Sequence, residues 1–216
     1  MTATCNICNG TTFVPAQNNR LSRSRKPPQC GTCRSLERHR IARAVIDKLH
    51  LRETFAHYPL LVWGEQSGIP KPWFKSVEVF GIEHGDAGLG ARPDDSVGFV
   101  VAANVLHRVP DHRATLAQLV RVMTADGLML LSYPNPTTRE TTEDWGRADP
   151  TRGGGHRILG RDFEAAFASL VPGAIVLRIE EADPVTGDPD WLYLLTKSPF
   201  WMRRAFDAEV DARILD

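Results

Sequence analysis

The chain of 216 residues contains no run approaching eighteen apolar residues, so it offers no helix able to span a membrane. No apolar signal region opens it, and the expectation is a soluble cytoplasmic protein. Net charge is also missing, because 26 basic residues balance 26 acidic ones. No global field therefore draws the chain to nucleic acid or to an anionic membrane. Few aromatics interleave with the basic residues, which further weakens an RNA-binding reading. No internal repeat is present, and no cysteine follows Cys33. What remains is enough for one sizeable core and one small accessory module.

All four cysteines fall in two pairs, Cys5-x-x-Cys8 and Cys30-x-x-Cys33. Two such pairs can place four thiolates at tetrahedral corners around a zinc ion. Two disulfides or four free thiols are the alternatives; an intracellular chain disfavours the first and the paired spacing the second. A four-thiolate site has no open coordination position, so the role expected is structural. Gly10 and Gly31 are placed where tight turns would need them. Between the pairs, Arg20, Arg23, Arg25 and Lys26 form a basic loop. Ser35 can cap the helix that follows, whose first turns carry Arg38, His39, Arg40 and Arg43. Cations there oppose the helix dipole, which leaves two readings: an anion site or a solvated basic face.

The remaining chain alternates strands and helices. Val97 to Ala103 is an unbroken apolar run, as in a parallel strand buried on both faces. Asp111 is an N-cap for a helix with Leu116, Leu119, Val120 and Met123 on one stripe, ended by Asp126-Gly127. Leu128 to Tyr133 is the next strand, and together the three form a right-handed βαβ unit. Upstream, Leu60 to Trp63 and Val77 to Ile82 are strands, the first followed by the turn Gly64-Glu65-Gln66-Ser67-Gly68. Downstream, residues 135–155 suggest a mobile loop or lid, Arg161 to Leu170 a helix, and Ile175 to Ile179 with Trp191 to Leu195 an antiparallel pair. The expected divisions are a zinc ribbon over 1–40, a Rossmann-like α/β domain over 41–198 and a helical tail over 199–216. Trp63, Trp73, Trp145 and Trp191 read as core or loop anchors.

Several blocks then carry a resemblance: the four cysteines, Cys33-Arg34-Ser35-Leu36-Glu37-Arg38-His39-Arg40, Ala103 to Asp111, Leu119 to Gly127, and His156 to Phe163. Over about residues 5–197 the chain resembles class I S-adenosylmethionine (SAM)-dependent methyltransferases, in the subgroup with an N-terminal four-cysteine zinc ribbon. The resemblance implies that SAM lies across the carboxyl ends of the first, second and fourth strands of the sheet. Gly64, Glu65 and Gly68 would face its methionine part, Glu83 its ribose hydroxyls, Asp86 its adenine and Asn104 its edge. His156 and Arg157 would approach the substrate, His156 as the base and Arg157 or Arg38 holding an anionic group. The implied activity is methyl transfer to an oxygen or nitrogen of an acceptor, a small molecule or a saccharide-type compound. The chain departs from the family in a glycine-poor turn after Trp63 and in the short segment between Glu83 and Val97, which leaves little room for a third strand. These departures motivate an alternative: a non-catalytic methyltransferase fold that has lost SAM and meets a protein partner through its ribbon or its apolar tail.

Overall fold

A computed structural model of the chain describes residues 3–56, 58–64, 71–81, 85–135, 139–208 and 210–216. Its centre is a seven-stranded sheet formed by β3 (Pro59–Gly64), β4 (Ser76–Phe80), β5 (Val97–Ala103), β6 (Met123–Ser132), β9 (Ile175–Ala182), β10 (Pro189–Thr196) and β11 (Asp211–Leu215). The spatial order is β11-β9-β10-β6-β5-β3-β4. Strands β4, β3, β5 and β6 run parallel, while β10, β9 and β11 add antiparallel pairs at one end. This is the Rossmann-like sheet with an antiparallel ending that the sequence suggests. Among the described residues β4 is an edge strand. In the segment before β5, Gly85–Gly90 forms a short helix, α3, and none of the described residues there forms a third strand.

Helices cover both faces of the sheet. On one side α3, α4 (His112–Val122) and α5 (Arg161–Leu170) bring Leu89, Leu116, Leu119, Phe163 and Phe167 onto Val97, Val100 and Ala102. On the other, α1 (Glu37–Lys48), α2 (Leu51–Phe55) and α6 (Pro199–Asp207) bring Val45, Ile46, Phe55 and Trp201 onto Phe99 and Val101. Side chains alternate across a strand, so β5 must be apolar at every position to bury both faces, and all seven of its residues are buried. Asp111 caps α4 as expected, its carboxylate accepting from the backbone N–H groups of Arg113 and Ala114 at 3.0 Å each. Helix α4 stops at Val122, and β6 begins at Met123 with no loop, so Asp126-Gly127 lies inside the strand and does not end the helix.

Three expectations are corrected. Residues 135–155 are not simply a loop, because β7 (Glu143–Asp149) pairs with β8 (Gly155–Ile158) as a hairpin. Its charged sequence hides a strand held by Trp145, whose indole N–H donates to the Gly155 carbonyl at 2.9 Å. The tail is not only helical: β11 turns back to pair with β9. Ser35 does not cap α1. The N-cap is Leu36, whose N–H donates to His39 Nδ1 at 3.1 Å, while the Ser35 hydroxyl lies 3.2 Å from Cys33 Sγ and 3.4 Å from Cys5 Sγ.

At the N-terminus the two short strands β1 (Phe13–Val14) and β2 (Gln29–Cys30) carry the cysteine turns. This module docks on the turn between β9 and β10. Ser24 N–H donates to the Asp188 carboxylate, while Ser24 Oγ and Lys26 Nζ donate to the Thr186 carbonyl at 3.1 and 2.8 Å. Beneath them Arg40 of α1, fully buried, donates Nε and an Nη to Asp183 at 2.6 and 2.8 Å. Its remaining donors reach the Ser35 and Pro28 carbonyls. The basic start of α1 thus answers a buried acid within the chain, and part of the basic loop is used for docking. No described helix is long and apolar enough to cross a membrane.

Removing one member of a buried ion pair strands the other charge, which costs about 3–5 kcal/mol. Arg40→Ala should lower stability on that scale in urea unfolding, whereas Arg20→Ala, from the half-exposed pair with Glu37, should cost under about 1 kcal/mol.

Candidate functional site

The four cysteine sulfurs all lie within 4.8 Å of one another. Cys5 and Cys33 Sγ are 3.8 Å apart, and Cys8 and Cys30 Sγ 3.5 Å. Four sulfurs at about 2.3 Å from one zinc would stand about 3.8 Å apart, so the donor set fits the ion. Each turn closes on its own backbone, with Asn9 N–H donating to the Cys5 carbonyl and Arg34 N–H to that of Cys30. The left-handed positions are Asn9 and Arg34, at φ 61° and 60°, and not Gly10 or Gly31. Gly10 is needed for space, since a Cβ there would lie 2.8 Å from Thr32 Oγ1 and 3.2 Å from Cys30 Sγ. Burial and its neighbouring thiols push Cys8 up to about 12. Burial also raises Cys30, but the N–H groups of Cys33 and Thr32 outweigh it and bring that thiol down to about 7.

The second feature is the topological switch point of the sheet. From β3 the chain goes to β4 on one side and then to β5 on the other, which opens a crevice beyond the carboxyl ends of β3 and β5. Gly64 ends β3 at φ 94°, and a Cβ there would lie 2.1 Å from Val105 Cγ1 and 2.6 Å from the Ala103 carbonyl. Asn104, just past β5, is left-handed at φ 54° and donates its N–H to the Ser132 carbonyl at 2.9 Å. Gly64 pairs with Ala103, so Gly64 and Asn104 both stand at the carboxyl ends of β3 and β5. Glu65, Gly68 and Glu83 lie outside the described residues, as does the side chain of Asp86 on α3.

From Asn104 a cleft of about 720 Å³ extends between the sheet and the ribbon. Ser132, Tyr133 and Pro134 at the end of β6 form its floor with Asp188 to Leu192 at the start of β10. Gln17, Asn18, Arg20, Arg23 and Gln29 of the ribbon, with Glu37 and Arg38 of α1, form the opposite wall. Asp190 stands in this cleft with Oδ1 accepting from Asn135 Nδ2 at 3.1 Å and from the Trp191 N–H at 2.9 Å. Burial raises its pKa above the usual carboxylate value, although those two donors and Arg23 oppose the rise. Burial likewise raises Tyr133, whose ring stacks on Tyr193 at 4.8 Å. Neither Asp190 nor Tyr133 stands out in the sequence, because a single acid or tyrosine beside a strand carries no motif.

His156 and Arg157 lie on β8, away from this cleft. His156 is half-buried, and its Nδ1 finds no hydrogen-bond partner among the described residues. Arg157 is buried, and its guanidinium is engaged inside the chain. It donates to Asp144 at 2.7 Å, to the Leu106 and Val109 carbonyls at 3.0 and 2.6 Å, and to Pro110 O. The anion-holding role expected of it has no support in this geometry.

No family model matches the chain, and no curated protein matches it. Solved structures do. The Haloferax volcanii complex of the Trm112 methyltransferase activator with a methyltransferase matches at 11% identity, over 74% of this chain and 90% of that one, with a TM-score of 0.48. Burkholderia thailandensis 1,6-didemethyltoxoflavin-N1-methyltransferase, solved with its substrate and S-adenosylhomocysteine, matches at 11% identity over 72% and 77%, with a TM-score of 0.47. A SAM-dependent methyltransferase from Thermotoga maritima matches at 13% identity over 74% and 91%, with a TM-score of 0.39.

Beside Arg157, His112 is held neutral. Burial first, then Arg157 and Arg113, lower it from 6.5 to about 4, against the opposing Asp111 and Asp144. The unfolded chain therefore takes up this proton more readily than the folded one, so stability falls as pH drops from 6.5 towards about 4. His112→Gln should flatten that part of a plot of Tm against pH and leave the steeper loss at lower pH, where the depressed carboxylates protonate. The chain thus joins a seven-stranded α/β sheet, parallel over β4, β3, β5 and β6, to a four-cysteine cluster at its N-terminus.

Proposed function

We propose that this chain binds SAM at the switch-point crevice and transfers its methyl group to an oxygen or nitrogen of an acceptor held in the cleft beneath the ribbon. One observation supports the reading: Gly64, paired with Ala103, and Asn104, just beyond, stand at positive φ at the carboxyl ends of β3 and β5, where an open α/β sheet takes its ligand. Bound there, SAM supplies an activated methyl group on a sulfonium. The chain's own contribution is alignment of the acceptor and removal of its proton. Glu65, Gly68, Glu83 and Asp86 remain the proposed cofactor contacts beside Gly64 and Asn104.

Asp190 is the proposed proton acceptor, in place of His156, because it faces the cleft with one carboxylate oxygen engaged and a raised pKa. Amides, guanidinium groups and carboxylates line the cleft with Trp191 and Tyr133, a lining that suits a polar small molecule or a saccharide-type acceptor. The four thiolates of Cys5, Cys8, Cys30 and Cys33 would hold one structural zinc and fix the ribbon wall. A second reading, a partner subunit without methyl transfer, is favoured by the exposed rings of Phe200 and Phe206 on α6.

Calorimetric titration of the zinc-loaded protein with SAM and with S-adenosylhomocysteine separates the two readings. Dissociation constants of about micromolar order are expected for both ligands, with Asp190→Asn leaving them unchanged. Folded protein that binds neither ligand at millimolar concentration would sink the enzyme reading and leave the partner subunit.

A further inference from the structure

The loop after β5 borders the crevice and holds only one short 3-10 turn, Leu106–Arg108. It runs from Asn104 through Leu106 to Pro110, and its carbonyls need partners wherever water is excluded. One side chain from a distant part of the sequence supplies them. Arg157 of β8 reaches the Leu106, Val109 and Pro110 carbonyls at once, and Asp144 of β7 holds its Nε. Val105, between Asn104 and Leu106, is fully buried and packs against Gly64 so closely that a Cβ on Gly64 would overlap it. A line of direct contacts thus runs from Arg157 to the Leu106 carbonyl, to Val105 and to Gly64, where the turn after β3 begins.

We infer that Arg157 is a positioning residue for the cofactor crevice: its fork fixes the loop after β5, and through Val105 that loop sets where Gly64 and Asn104 stand. The inference rests on the reading of the crevice as a SAM site. Arg157 touches neither donor nor acceptor. A planar fork serving several carbonyls also makes lysine a poor substitute, since a single ammonium cannot span them in the same geometry.

The test compares SAM affinity by calorimetry in the full zinc-loaded chain for wild type, Arg157→Met, Arg157→Lys and Lys197→Met. Lys197 is the control, because it donates to the Met123 carbonyl at the first residue of β6, which pairs with Val97 at the amino end of β5. The expected result is a loss of about tenfold or more in Arg157→Met, the scale on which outer partners of a binding site act. A smaller loss is expected in Arg157→Lys and none in Lys197→Met, even though Tm falls in all three. Wild-type affinity in folded Arg157→Met would overturn the inference, as would equal losses in the Arg157 and Lys197 variants, which would mark general destabilisation. If Arg157→Met does not fold, Arg157→Lys decides by the same comparison, and wild-type affinity there overturns it. Failure of the wild type itself to bind SAM is a different outcome: it removes the SAM reading, and the positioning role falls with it.

Discussion

The buried pair of Arg40 and Asp183 is the interaction on which the arrangement depends. Both side chains are fully removed from solvent, and together they join the start of α1 to the turn between β9 and β10. Two charges in such a place are tolerable only because every strong donor and acceptor is used. Asp183 also accepts from the Thr186 N–H and hydroxyl, and Arg40 also serves the Ser35 and Pro28 carbonyls. Ser35 in turn lies against the cysteine sulfurs, so the pair links the cysteine turns to the sheet through the Arg40 side chain. The cleft exists because these contacts hold the ribbon over the end of β10 rather than elsewhere.

A complementary constraint acts at the switch point. The central strand β5 is apolar and buried on both faces, which leaves chemistry to the residues beyond its carboxyl end. There Gly64 admits Val105, Asn104 turns the chain out of β5, and the β7–β8 hairpin straps the following loop. The cleft and the switch point are therefore supported separately, one by the ribbon and one by the hairpin. Asn104, just past β5, also lines the cleft.

How much of this was legible in the sequence follows from range. Local rules identified β5, the Asp111 cap, α5 and the cysteine turns, because each depends on a few adjacent residues. The hairpin of β7 and β8 and the edge strand β11 escaped, since Glu143 to Asp149 lacks apolar alternation and Asp211 to Leu215 is a five-residue run too short to stand out. Their pairing comes from tertiary contacts such as Trp145 to Gly155 and β11 to β9. Ser35 looked like a cap by composition, yet its hydroxyl goes to the sulfurs. Arg157 was found by resemblance as a substrate-side residue, whereas the contacts assign it to three backbone carbonyls 47 to 51 residues away. Asp190 was missed altogether, because only the folded cleft gives a lone aspartate its neighbours.

The most direct measurement follows equilibrium unfolding in urea by two signals at once: zinc retained by the protein and far-UV circular dichroism of the sheet. If the ribbon and sheet form one unit through Arg40 and Asp183, zinc release and loss of the sheet coincide in a single transition. Zinc leaving at lower urea while the sheet remains folded would contradict the account, and the cleft would lose its ribbon wall as an integral part of the fold.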